Sequence, residues 1–153
     1  MRLDMEFKIP QSLKLEHEEL HAELARATQV TGKIGESAKA VAKLLHPHFM
    51  KEEEYAMPPL GLLSSLSEGK VTPEMKDVFK MTDRLKAELP QMIDEHKAII
   101  DALKILIDAA TKEKKMEYVH FADKLMSHAQ NEEEVLYPAS ILVGEYLKLN
   151  LIE

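Results

Sequence analysis

A set of histidines and glutamates occurs twice in this chain, in the same order and at nearly the same spacing. His48-Phe-Met-Lys-Glu52-Glu53-Glu54-Tyr-Ala-Met-Pro58 aligns without a gap on His128-Ala-Gln-Asn-Glu132-Glu133-Glu134-Val-Leu-Tyr-Pro138. Upstream, Pro10-Gln11 and Glu16-His17 align on Pro90-Gln91 and Glu95-His96, with one residue fewer between Gln and Glu in the second copy. Each half therefore carries one His and then, 31 or 32 residues on, a His-x-x-x-Glu. A His followed four residues later by Glu places both side chains on one helical face, one turn apart. The frame predicts one domain over 1–153, duplicated internally over about 10–58 and 90–138.

A chain of 153 residues is one domain's worth and can bury a sizeable core. Leu, Ala, Lys, Glu and Met dominate and aromatics are scarce, a composition that favours helix over sheet. The net charge of −7 argues against nucleic acid or an anionic membrane surface as main partner. With no Cys, disulfides, thiolate metal sites and Cys nucleophiles are excluded. No stretch reads as an export signal or a membrane span, so a cytoplasmic protein is expected, as monomer or homodimer.

Hydrophobic periodicity predicts four long helices. The first begins near Pro10 and carries Leu13, His17, Leu20, Leu24 and Ala27; Gly32 and Gly35 turn the chain. The second carries Val41, Leu45, His48, Glu52 and Tyr55, bends at Pro47 and closes at Pro58-Pro59. A connector over 60–70 reads as a lid or, through Leu62, Leu63 and Leu66, as an interaction surface. Thr72-Pro73 reads as an N-cap with Pro in the first turn of a helical pattern that runs to Leu89, and Pro90 is expected to kink or break that helix. The third ligand-bearing stretch holds Met92, His96, Ile99, Leu103 and Leu106, and Lys112–Lys115 is the next turn. The fourth holds Phe121, Leu125, His128, Glu132 and Val135 and ends at Pro138, with a short closing helix over 139–149.

The point midway between His17 and His48 falls in the first turn, and that between His96 and His128 in the second. In antiparallel hairpins each His pair is then level, and the duplication brings all four His and both Glu to one layer of a four-helix bundle. A lone buried His is usually a hydrogen-bonded core residue. Four His and two Glu are too many to satisfy one another, and buried groups of this kind are costly unless paired or metal-bound. Two divalent cations would satisfy all six. Imidazole with carboxylate suits Fe, Zn, Mn or Ni. With Glu52 and Glu132 bridging, two His on each ion and an oxo or hydroxo bridge, each octahedral ion keeps one open position. His21, one turn beyond His17, is a candidate to fill one of them. Glu133 is a further ligand candidate if the helix loosens before Pro138; Glu53 and Glu133 otherwise lie beside the ligand face. His46 and His120 fall off the stripes and read as surface residues. Glu18-x-x-His21 and Glu117-x-x-His120 have the spacing of carboxylate-bridged sites, but they are not equivalent under the duplication.

The pattern His17, His48-x-x-x-Glu52, His96 and His128-x-x-x-Glu132, with Glu-Glu-x-x-Leu-Tyr-Pro after the last His, resembles the hemerythrin-like HHE cation-binding domains over about residues 10–147. The resemblance implies an all-α, up-down-up-down bundle around a non-haem di-iron centre, with Zn or Mn as other metals the donors accept. Dioxygen, nitric oxide or peroxide would be the small ligand. Oxygen-carrying members have a second His one turn after the third-helix His, where this chain has Ile100, and a carboxylate five residues after the last His, where the duplication favours Glu132 at four. Ligand binding or sensing is the leading reading. Redox catalysis of the peroxidase, oxidase or nitric oxide reductase type, and iron storage or repair, are the alternatives.

Overall fold

The computed structural model describes residues 7–151; the domain boundaries expected at 1 and 153 lie outside them. The described residues are mostly helical, joined by short turns. Its long helices are α1 (Gln11–Thr28), α2 (Lys33–Lys51), α4 (Phe79–Lys112) and α5 (Met116–Asn131); α3 (Leu63–Ser67) is a short turn and α6 (Tyr137–Asn150) closes the chain. No helix among the described residues is long and apolar enough to cross a membrane.

The buried stripes explain the packing. Leu20, Leu24 and Ala27 of α1 and Ile34, Ala38, Val41 and Leu45 of α2 meet Leu103 and Leu106 of α4 and Phe121 and Leu125 of α5 in one apolar cluster. α2 packs on α1 and α4, and α5 on α4 and α1. The turn between α1 and α2 needs glycine twice. Gly32 has φ +85°, and a Cβ on Gly35 would lie 1.8 Å from the Val30 carbonyl oxygen. That close approach fixes where α2 starts against α1, and so the height of His48 relative to His17.

A second apolar cluster holds Tyr55, Met57, Leu60, Leu85, Met92 and Tyr137. The polar layer lies where the two clusters meet: Phe49 of the first stacks on His17 and Tyr137 of the second stacks on His96. The connector behaves as a packed cover. Leu60 and Leu62 are buried, and Leu62 joins Met75, Val78, Val143 and Leu147 in a third cluster, while Leu63 stays exposed.

Two helix boundaries differ from those the sequence allows, at Pro90 and Pro138, while Pro47 lies inside its helix as expected. α4 runs unbroken past Pro90, which removes one internal hydrogen bond while buried Leu85 and Met92 hold the helix on either side. α2 likewise passes through Pro47. Pro138 does not end a helix; it lies in the first turn of α6, where an N–H has no partner to lose.

Candidate metal centre

α1, α2, α4 and α5 each deliver one buried histidine to the layer: His17, His48, His96 and His128. The two glutamates open a pair of matched irregularities. Glu52–Ala56 and Glu132–Leu136 are both π-helical, at equivalent places in the two halves. In the first, the Met57 N–H reaches the Glu52 carbonyl at 2.8 Å instead of the carbonyl four residues back. A proline follows each segment, and a proline ring collides with the carbonyl four residues earlier in a tight α-turn. Widening the helix relieves that clash, and π turns of this kind recur at functional sites.

Two groups of donors result, and both Glu52 and Glu132 belong to each. One is His17, Glu52, His128 and Glu132; the other is His48, Glu52, His96 and Glu132. Within each group one donor atom per residue lies within 4.8 Å of all the others, and all six residues are buried. His17 thus pairs with His128 and His48 with His96, so each group takes one histidine from each half. His128 Nε2 lies 2.9 Å from Glu132, His17 Nε2 3.4 Å from Glu52, and His48 Nε2 3.3 Å from Glu52.

Three of the outward nitrogens are hydrogen-bonded to carboxylates, and the fourth has one nearby. His48 Nδ1 meets Glu95 at 2.7 Å, His96 Nδ1 meets Glu133 at 2.6 Å, His128 Nδ1 meets Glu16, and Glu53 stands 3.7 Å from His17 Nδ1. The arrangement obeys the duplication: Glu16 and Glu95 are aligned, as are Glu53 and Glu133. A carboxylate on Nδ1 holds the ring proton there and turns the Nε2 lone pair inward, as metal-ligating histidines require.

Turning lone pairs inward sets acceptor against acceptor. Among the described residues, His17 Nε2, Glu52 Oε1, His128 Nε2 and Glu132 Oε2 are buried with no hydrogen-bond partner. Each such atom costs about 1–3 kcal/mol, so four together cancel the burial of several leucines. These four atoms come from the four residues of the His17–His128 group. A cation coordinated by all four removes the conflict, so the residues fit a metal.

Electrostatics point the same way. Burial and the neighbouring Glu52 carboxylate drive the Glu132 carboxyl well above its usual range. Glu52 is shifted downward: burial opposes ionisation, but hydrogen bonds with Glu132 and His48 outweigh it. The pair behaves as two carboxylates sharing one proton where a cation would serve both. Burial lowers His17. It also works against protonated His48 and His96, yet contacts with Glu52 and Glu95, and with Glu132 and Glu133, raise both on balance.

The remaining sequence candidates separate. Glu133 sits on the outer nitrogen of His96, and Glu53 near that of His17. His21 is exposed, its ring 6.0 Å from that of exposed His46, and belongs to neither donor group. His120 is exposed. Sequence reasoning overlooked Glu16, Glu95 and Tyr137. The repeated Glu-His dipeptide was the available signal for the first two. Tyr137 Oη donates to Glu52 at 2.5 Å and lies 3.2 Å from Nε2 of both His48 and His96. Burial, with Glu52 and Glu132 beside it, pushes the phenol strongly upward.

Residues 9–139 match the hemerythrin HHE cation-binding domain family. The chain belongs to that family. No curated protein and no solved structure matches it. The match spans both copies of the repeat, so both donor groups of this HHE domain lie inside the family's boundaries.

The carboxylates on the outer nitrogens give a direct test. Glu95→Gln keeps volume but weakens the hold on His48 and Lys51, and is expected to lower metal affinity 10–100-fold. Exposed Asp94→Asn serves as control. A titration in which Glu95→Gln binds metal as tightly as Asp94→Asn rejects the orienting role.

Proposed function

We propose that this HHE domain holds two iron ions and uses them to bind or sense dioxygen, nitric oxide or peroxide. One ion would rest on His17 and His128, the other on His48 and His96, with Glu52 and Glu132 shared. The reading takes the domain as one up-down-up-down bundle of two like halves. It is carried by one observation: four buried acceptor atoms with no partner converge in a family that binds cations. Nitrogen and carboxylate donors without sulfur suit iron in either oxidation state. When bound, the iron pair supplies two electrons and an exchangeable position for a small ligand.

The chain's own residues do the rest. Outer carboxylates aim His48, His96 and His128, and Glu53 stands near the outer nitrogen of His17. The shared glutamates hold the two positions together. Phe49 stacks on His17, and apolar clusters pack on either side of the layer.

Protein reduced without oxygen and then exposed to dioxygen, nitric oxide or peroxide tests the reading. A ligand-specific change in the visible spectrum is the expected result. A stable, reversible change marks a carrier, and rapid decay to the resting oxidised form marks sensing or turnover. Iron-loaded, reduced protein whose spectrum responds to none of the three overturns the proposal.

A further inference from the structure

The two donor groups are not alike, and the difference is Tyr137. Its aligned position in the first half is Met57, so the duplication does not account for it. Its hydroxyl lies 2.5 Å from Glu52 Oε2, 3.2 Å from Nε2 of His48 and of His96, and 3.5 Å from Glu132 Oε1. Those four residues are one of the donor groups, whose atoms all lie within 4.8 Å of one another. An ion touching all four also meets the phenol oxygen. The side chain has no room to withdraw: it is 0% exposed, its ring stacks on His96 at 5.6 Å, and Tyr55, Met57, Leu85 and Met92 share its cluster.

Among the described residues, the His17–His128 group has no such oxygen. Its aromatic neighbour is Phe49, stacked on His17 at 4.1 Å and without a donor atom. A pocket of about 340 Å³ reaches His17 and Phe49 from the surface between His21, His46 and Glu53.

We infer that Tyr137 is an additional ligand residue of the ion held by His48 and His96, so that a small exogenous ligand binds only at the ion held by His17 and His128. This rests on the two-ion reading of the domain. With two imidazoles, two shared carboxylates and a solvent oxygen, each six-coordinate ion would keep one position. Tyr137 would fill it on one ion, and the pocket borders His17 beside the other.

The test compares the iron-loaded parent with Tyr137→Phe, which preserves ring packing. Metal analysis comes first, and fewer than two ions in the parent overturns both this inference and the functional reading. With two ions present, the oxidised parent is expected to show a visible tyrosine-to-iron(III) charge-transfer band that Tyr137→Phe loses. Its absence from the parent overturns the inference alone and needs no variant. Nitric oxide titrated into the reduced proteins should saturate at one per ion pair in the parent and two in the variant. Equal stoichiometry in two-ion samples of both shows Tyr137 to be a core residue only. If the variant retains one ion while its helical circular dichroism is unchanged, Tyr137 is needed to hold the second, as a ligand would be.

Discussion

Glu52→Ala is expected to strip both ions from the domain, not one. Glu52 belongs to both donor groups, with Oε1 3.4 Å from His17 Nε2 and Oε2 3.3 Å from His48 Nε2. Its side chain is fully buried, so water does not readily replace it, and its loss also leaves Tyr137 without its shortest hydrogen-bond partner. Removing a residue that merely orients a ligand costs 10–100-fold in affinity, so removing a shared ligand should cost at least about 100-fold at each position. Glu132→Ala should behave alike, while Glu54→Ala, exposed and paired with Arg84, should retain two ions. Elemental analysis of the three variants after identical iron loading decides the matter. Full occupancy in both Glu52→Ala and Glu132→Ala eliminates the shared-glutamate assignment.

Loading with metal is expected to raise the melting temperature by about 10–20 °C and to reverse its dependence on pH. At free metal 100-fold above Kd each ion contributes about 2.7 kcal/mol, and for a domain of this size 1 kcal/mol shifts Tm by about 2–4 °C. The sign of the pH effect comes from the shifted groups. His48 and His96 are raised above 6.5 in the fold, so their contribution is complete below 6.5 and is lost as pH climbs through the folded values. Glu132, raised well above 4.5, acts in the same direction. His17, lowered from 6.5, opposes them only below 6.5, and the Glu52 contribution is already complete above 4.5. Metal-free protein should therefore lose stability from pH 6.5 upward. Cations compete with those protons, so loaded protein should gain over the same range. Melting curves of chelator-treated and loaded samples in matched buffers read both slopes. Parallel slopes and equal melting temperatures would remove the metal from the account of stability.

Much of the site was legible because the chain states it twice. His17, His48, Glu52, His96, His128 and Glu132 sit on helical stripes at repeated spacing, and in the structure they meet. Which histidines share a donor group was not legible. Equal height along a hairpin says nothing about sideways neighbours, and His17 meets His128 because α1 also packs on α5. Tyr137 escaped notice for a geometric reason. It lies nine residues after His128, off the 3.6-residue period, and reaches the layer through a π segment that periodicity does not describe. A proline misled in the fold. The break allowed at Pro90 does not occur, because the flanking core holds the helix together, which no local propensity reveals.

The crossed pairing of histidines has a mechanical meaning. His17 and His48 belong to the helix pair α1–α2 and His96 and His128 to α4–α5, yet each donor group draws one from each. Two ions held as proposed would act as rivets between the α1–α2 pair and the α4–α5 pair. Their removal would leave each helix pair's own turn and stripe intact while loosening the contacts between the pairs, so hydrogen exchange in the metal-free domain should quicken first along the α1–α5 and α2–α4 contacts.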